Sequence, residues 1–139
     1  MKKISLILAI LLLSLTFTGC SQKSIPKINA EVEITDQSIS SGKVIVDKAS
    51  IPEKGWVAVH ELGQKMLDKY TPGKVLGWSA IEGANANVEV AIGPTSSERI
   101  MVAIHPDKGQ IGIFEFPGAD AEVYTENDKQ IDTIFNVVK

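Results

Sequence analysis

From Ala30 onward, apolar and polar residues alternate with a period of two in a succession of short stretches. Val32 and Ile34 alternate with Glu31, Glu33 and Thr35, and Val44 and Val46 with Lys43 and Asp47. Val57 and Val59 alternate with Trp56, Ala58 and His60, while Leu76 and Trp78 share one face. Val88, Val90 and Ile92 alternate with Asn87, Glu89 and Ala91; Ile100, Val102 and Ile104 alternate with Arg99, Met101, Ala103 and His105. Successive side chains of an extended chain point to opposite faces, so each stretch reads as a half-buried strand. Two more strands are predicted, over Ile111 to Phe116 and Gln130 to Val138.

Turn-forming residues separate these stretches: Ser41-Gly42, Pro52-Glu53-Lys54-Gly55, Pro72-Gly73, Gly93-Pro94, Pro106-Asp107-Lys108-Gly109 and Pro117-Gly118. Proline presets the first corner of a turn and glycine accepts positive φ. Only Glu61 to Tyr70, with Leu62, Met66, Leu67 and Tyr70, has helical spacing, and it predicts one short helix over an end of the sheets. About eight short strands in one domain-sized chain predict an all-β fold, an antiparallel two-sheet β-sandwich of immunoglobulin-like type, with a closed barrel as the alternative. The cysteine pair of immunoglobulin domains is missing, because Cys20 is the one cysteine of the chain.

The first residues follow a different pattern. Met1-Lys2-Lys3 precedes a run from Ile4 to Phe17 broken only by small hydroxyl residues, and the run ends Phe17-Thr18-Gly19-Cys20. Two lysines before a short apolar run fit a secretory signal, and the run falls short of the roughly 20 residues that a stable span needs. Small residues before a cysteine resemble a lipobox, with Phe17 in place of the usual leucine. The expected organisation is therefore a lipoprotein signal peptide over 1–19, a lipidated Cys20 with a flexible tether over 20–29, and the β-domain over 30–139. A single acyl chain holds only marginally; the two or three chains of a lipoprotein hold stably. The tether, polar and proline-bearing, reaches at most about 30 Å. This reading places the protein on the extracytoplasmic side of a cell membrane or outer membrane, anchored through lipid on Cys20.

Charge narrows the partners. The chain carries 14 basic and 17 acidic side chains, a net charge of −3, and cleavage after Gly19 would remove Lys2 and Lys3 as well. Nucleic acid calls for clustered Lys and Arg and is not expected as a partner. An envelope protein or a glycan is.

Three groups of residues together carry a family resemblance. They are Gly55-Trp56-Val57-Ala58-Val59-His60 with Val75-Leu76-Gly77-Trp78-Ser79; Asn87-Val88-Glu89-Val90 with Val102-Ala103-Ile104-His105-Pro106-Asp107; and Phe116-Pro117-Gly118 with Tyr124-Thr125-Glu126-Asn127. In that order, over roughly 42–138, the chain resembles a domain-of-unknown-function family common in surface proteins of haloarchaea, with bacterial members. The resemblance implies an extracytoplasmic β-sandwich and transfers no activity, cofactor or site residue. Many relatives have a longer, Asp- and Asn-rich loop where this chain has Pro106-Asp107-Lys108-Gly109-Gln110.

Candidate chemistry is sparse. No nucleophile motif, phosphate loop or dinucleotide fingerprint is present, so neither an enzyme nor a cofactor is expected. Both histidines end strands on the side opposite the valines and isoleucines, so Trp56, Ala58, His60, Met101, Ala103 and His105 are expected to point outward. If those strands are neighbours, Trp56, His60, Met101 and His105 make one possible contact surface, or a second small core under the segment from Glu61 to Tyr70. A soft set of His60, Met101 and His105 would suit copper, Cu(I) above all, and gives the alternative function of metal handling. The acidic residues Asp107, Asp120, Glu122, Glu126 and Asp128 lack calcium-loop spacing and read as solvated charge.

Overall fold

The structure is a computed structural model and describes Gly19 and residues 24–139. The expected signal peptide as far as Thr18, and Cys20, lie outside the described residues. Within them the fold is all-β, with strands β1 (Glu31–Glu33), β2 (Lys43–Met66), β3 (Lys69–Ala91), β4 (Arg99–Pro106), β5 (Thr125–Glu126), β6 (Lys129–Gln130) and β7 (Asp132–Asn136). All strand pairs are antiparallel. Five strands form one sheet and β5–β6 a separate two-stranded ribbon. The two sheets are thus very unequal, unlike the halves of an ordinary sandwich.

Two long strands organise the large sheet. β3 pairs with β2 along its whole length, while the other edge of β2 is shared by β1 at residues 48–50 and β4 at residues 55–61. The ribbon folds on itself where Ile51 pairs with Gly83 and Lys54 with Glu82, which leaves Pro52 and Glu53 outside the register. Pro52 to Gly55 was expected to end a strand; it bends one instead, because two unpaired residues add curvature without breaking the ladder. The two halves of β3 then lie side by side, with Ser79 Oγ donating to Glu89 O at 2.9 Å and Gly93 N to Leu76 O at 2.9 Å. At the far side β7 continues the sheet from β4, and Gln37 bridges to Val137, so the sheet curls back toward the segment after β1.

The expected helix over Glu61 to Tyr70 is absent. Those residues are the end of β2, a two-residue turn at Leu67-Asp68 and the start of β3, with Met66 opposite Lys69 and Lys65 opposite Tyr70. A ten-residue helix is marginal without a face to bury, and Met66 and Leu67 are exposed, so no such face exists. The cross-strand partner is the next stretch of chain, and pairing with it satisfies the backbone directly.

The principal core is the one the alternation predicts. Val44, Val46, Val57, Val59, Val90, Ile100, Val102 and Ile104 are fully buried together with Ile51 and Phe135, each side chain stabilising the fold by about 1.5–3 kcal/mol. Leu76 joins them and Trp78 does not: a register shift between Val59 and His60 places Leu76 in a bulge and reverses its face relative to Trp78. Gly77, in that bulge, lies so close to the carbonyl of Ala91 that no Cβ would fit.

Candidate functional site

The face of β2 and β4 opposite the principal core is built from three registered pairs. Trp56 stands opposite His105, Ala58 opposite Ala103 and His60 opposite Met101. Side chains two residues apart share a face, so all six lie on one side, as the alternation predicts. They do not point to solvent. Trp56 is 6% exposed, Met101 1%, and His60, His105, Ala58 and Ala103 are fully buried. The contact surface expected of Trp56, His60, Met101 and His105 is therefore a second core.

The cover comes from the segment between β4 and β5, not from residues 61–70. The predicted strand from Ile111 to Phe116 is absent: these residues form turns that lay Phe114 and Phe116 across the sheet. Phe114 packs on Trp56 with ring centroids 5.6 Å apart and on Trp78 at 5.1 Å, and Phe116 packs on His60 at 4.9 Å and His105 at 5.7 Å. Two aromatic residues at a spacing of two mimic strand alternation, but the backbone here is held by carboxylates instead of a neighbouring strand. Asp120 Oδ1 accepts from Lys108 N at 2.7 Å and Oδ2 from Glu115 N at 2.8 Å; Glu115 accepts from Gln110 N and Asp107 from Gly112 N, each at 2.8 Å. Asp120 is fully buried, which corrects its reading as solvated charge; Glu122 and Asp128 do face solvent.

At the centre of this second core the two histidines meet. The small Ala58–Ala103 pair leaves space between them, and Nε2 of His60 lies 3.2 Å from Nε2 of His105. Each ring is held at its other nitrogen by a backbone carbonyl: Nδ1 of His60 by Gly73 O at 3.2 Å, and Nδ1 of His105 by Glu122 O at 3.1 Å. The Gly73 carbonyl is available because the bulges of the ribbon place Val75, not Gly73, opposite His60; a Cβ on Gly73 would strike the backbone of Glu61. Burial lowers the pKa of both rings, that of His60 to about 4 with the neighbouring His105 adding to the effect. Both are therefore neutral at pH 7.

Residues 30–137 match the model of a family described as a domain of unknown function, DUF7282. The chain belongs to that family. Over 112 residues, 78% of the chain, it is 29% identical to Cell surface glycoprotein 1 of Haloarcula hispanica, and the matched part is 11% of that protein's length. No solved structure matches.

In this DUF7282 domain the histidines have no further ionisable ligand beside them: among the described residues, no three His, Cys, Asp or Glu side chains gather round one point. Met101 lies opposite His60 on the same face, but a closed zinc or calcium cage of charged and imidazole ligands is not present. Beside the aromatic cover, Lys54, Trp56, Ala80, Glu82, Asp107 and Ile111 line a cleft of about 310 Å³. Trp78, Ile111 and Ile113 are the large apolar residues exposed around the cover. Sequence reasoning singled out both histidines but missed Phe114, Phe116, Asp120 and Gly73. The available signal was Phe114-Glu115-Phe116-Pro117 followed by an acid at Asp120, a run too short on β-branched residues and too close to proline to be a good strand.

Proposed function

We propose that this protein is a lipid-anchored module of the cell envelope that acts by binding or by structural packing, not by catalysis. The observation that carries the reading is the joining of Lys2-Lys3, the apolar run to Phe17 and Phe17-Thr18-Gly19-Cys20 to a DUF7282 domain. A relative of that domain is part of a cell-surface glycoprotein, which supports an extracytoplasmic location. With Trp56, His60, Met101 and His105 buried, partner contact falls to the rim of the aromatic cover, where exposed Trp78, Ile111 and Ile113 offer apolar surface and Ile111 also lines the cleft. Exposed apolar Ile111 in a cleft that also holds Asp107 and Glu82 suits an envelope protein or a glycan.

The experiment is intact-mass analysis of the membrane-extracted protein together with fractionation of a Cys20→Ala variant. Acyl mass on a chain beginning at Cys20, and loss of the variant from the membrane or its failure to be processed, are the expected results. A mature protein with a free thiol at Cys20 would refute the anchoring.

A further inference from the structure

Among the described residues, two buried side-chain atoms make no hydrogen bond: the indole Nε1 of Trp56 and the carboxylate Oδ1 of Asp107. Both residues line the cleft of about 310 Å³ beside the aromatic cover. Buried polar groups are paired almost without exception, because burial strips them of water. These two are of opposite kind: an indole nitrogen only donates, and an ionised carboxylate only accepts. The rest of each side chain is already held. Asp107 Oδ2 accepts from Gly112 N at 2.8 Å, and the Trp56 ring packs on Phe114. What remains over is one donor and one acceptor at the same cleft.

The strand register brings them together. Trp56 pairs with Ala80 of β3 and His105 of β4; two residues back, Lys54 pairs with Glu82, and its carbonyl accepts from Asp107 N at 3.1 Å. Side chains two residues apart share a face, so a row of Glu82, Lys54 and Asp107 lies beside Trp56 and the small Ala80. An anionic ligand meets two carboxylates there, and a cationic one meets Lys54. A neutral polar ligand meets neither penalty.

We propose that this cleft binds one uncharged pyranose ring of an envelope glycan. Each ring hydroxyl both donates and accepts, so neighbouring hydroxyls of one ring answer the indole N–H and the carboxylate together. The C–H face of the ring packs against exposed Ala80 and Ile111. Trp78 lies two residues along β3 from Ala80 on the same face and is half exposed, an aromatic plane for the next ring of the glycan. The volume is at the small end of ligand sites, which run from about 300 to 1,000 Å³. The turn at Ile111 and Gly112 forms the outer lip of the cleft. It is exposed, with open space around Gly112, so it shifts outward as the hydroxyls reach the two atoms beneath. The inference rests on the binding role proposed above and not on the lipid anchor: acylated Cys20 in a protein that binds no sugar would leave the anchor standing and remove the site.

The test uses the membrane-extracted protein in a sugar-free detergent, with isotope-labelled indole nitrogens. The chain has two tryptophans, and Trp78→Phe identifies the NMR signal of Trp56. Methyl pyranosides of glucose, galactose, mannose and N-acetylglucosamine are titrated in turn to tens of millimolar, with glycerol as the acyclic control. At least one of the four should move the Trp56 indole proton downfield and saturate, while glycerol leaves it in place. Ala80→Leu fills the cleft from an exposed position, so it should weaken the response tenfold or more at an unchanged melting temperature. The proposal is overturned if none of the four sugars moves the signal, if glycerol moves it equally, or if Ala80→Leu binds as tightly as the parent. It is also overturned if the free protein already shows a downfield indole proton that Asp107→Asn abolishes, since the two groups would then be bonded to each other.

Discussion

Phe114 and Trp56 lie 58 residues apart in sequence and meet with ring centroids 5.6 Å apart. This contact decides the character of the face that carries the histidines. Without Phe114 and Phe116 the face would be the wet side of a sheet; with them, the domain has two cores, one on each side of β2 and β4. Phe114→Ala should therefore destabilise the domain by about 2–3 kcal/mol, less than the 3–5 kcal/mol of a fully buried phenylalanine because its ring is only half-buried. In a Trp78→Phe background, acrylamide should quench Trp56 fluorescence poorly in the parent and well after Phe114→Ala. Equal quenching in both would mean that another group shields the indole.

The same arrangement removes the usual asymmetry of a half-buried strand. Val102 and Met101 occupy opposite faces of β4 and are both inaccessible. Val102→Asp and Met101→Asp should each unfold the domain, since each forces an unpaired carboxylate into an apolar interior. Circular dichroism and urea denaturation check this. A well-folded Met101→Asp protein would show that the covering segment yields readily.

The part of this architecture that could be read from the sequence is the part governed by local periodicity. Val44, Val46, Val57, Val59, Ile100, Val102 and Ile104 fall on the principal core as their alternation requires. The shared face of Trp56, Ala58, His60, Met101, Ala103 and His105 was legible for the same reason. What covers that face was not. It depends on the long-range placement of Phe114 and Phe116 and on backbone contacts to Asp120, which leave no periodic trace. Proline and glycine misled in one direction: Pro52 and Pro72-Gly73 read as chain reversals, yet both sit where β2 and β3 bulge. A bulge and a turn use the same residues, and only the pairing of the flanking segments tells them apart. The reversal at Leu67-Asp68 contains neither proline nor glycine, and Asp68 alone gave only a weak turn signal.

Acid should weaken the fold through the histidines. The folded-state pKa of His60 lies near 4, against about 6.5 in an unfolded chain. Between those values the unfolded chain binds a proton that the folded chain refuses, so stability is full above about pH 6.5 and falls as the pH drops toward 4. His60 alone accounts for a loss on the order of 3 kcal/mol at about 1.4 kcal/mol per pH unit, and His105 acts in the same direction. The carboxylates Asp36 and Glu122 have lowered pKa values and titrate only at the acid end of this window or below it. Urea denaturation between pH 7 and 4.5, without added metal, checks the slope. A flat profile would show that the pair already holds a positive charge at neutral pH.

Asp120 should matter more than its neighbours in sequence. Its two oxygens receive Lys108 N and Glu115 N from opposite ends of the covering segment, and hydrogen bonds to a charged group contribute about 1.5–3 kcal/mol. Asp120→Ala should lower stability by about 3 kcal/mol and speed amide exchange over 107–119. Glu122→Ala, which loses an exposed contact with Lys108, should change stability by less than about 1 kcal/mol.

The hairpin tip offers a change in the opposite direction. Leu67 has φ of 56° and is 96% exposed, in a turn of two residues between Met66 and Lys69. A left-handed backbone costs an L-residue roughly 1–2 kcal/mol, and an exposed leucine contributes no burial in return. Glycine relieves the strain but loses about 0.5–1 kcal/mol through the freedom of its unfolded state. Asparagine tolerates the conformation with less entropy to lose. Leu67→Asn should therefore raise stability by about 1 kcal/mol and Leu67→Gly by less, both read as shifts in the urea midpoint at unchanged slope. A loss of stability in both variants would mean that the left-handed backbone at Leu67 carries no strain that substitution relieves.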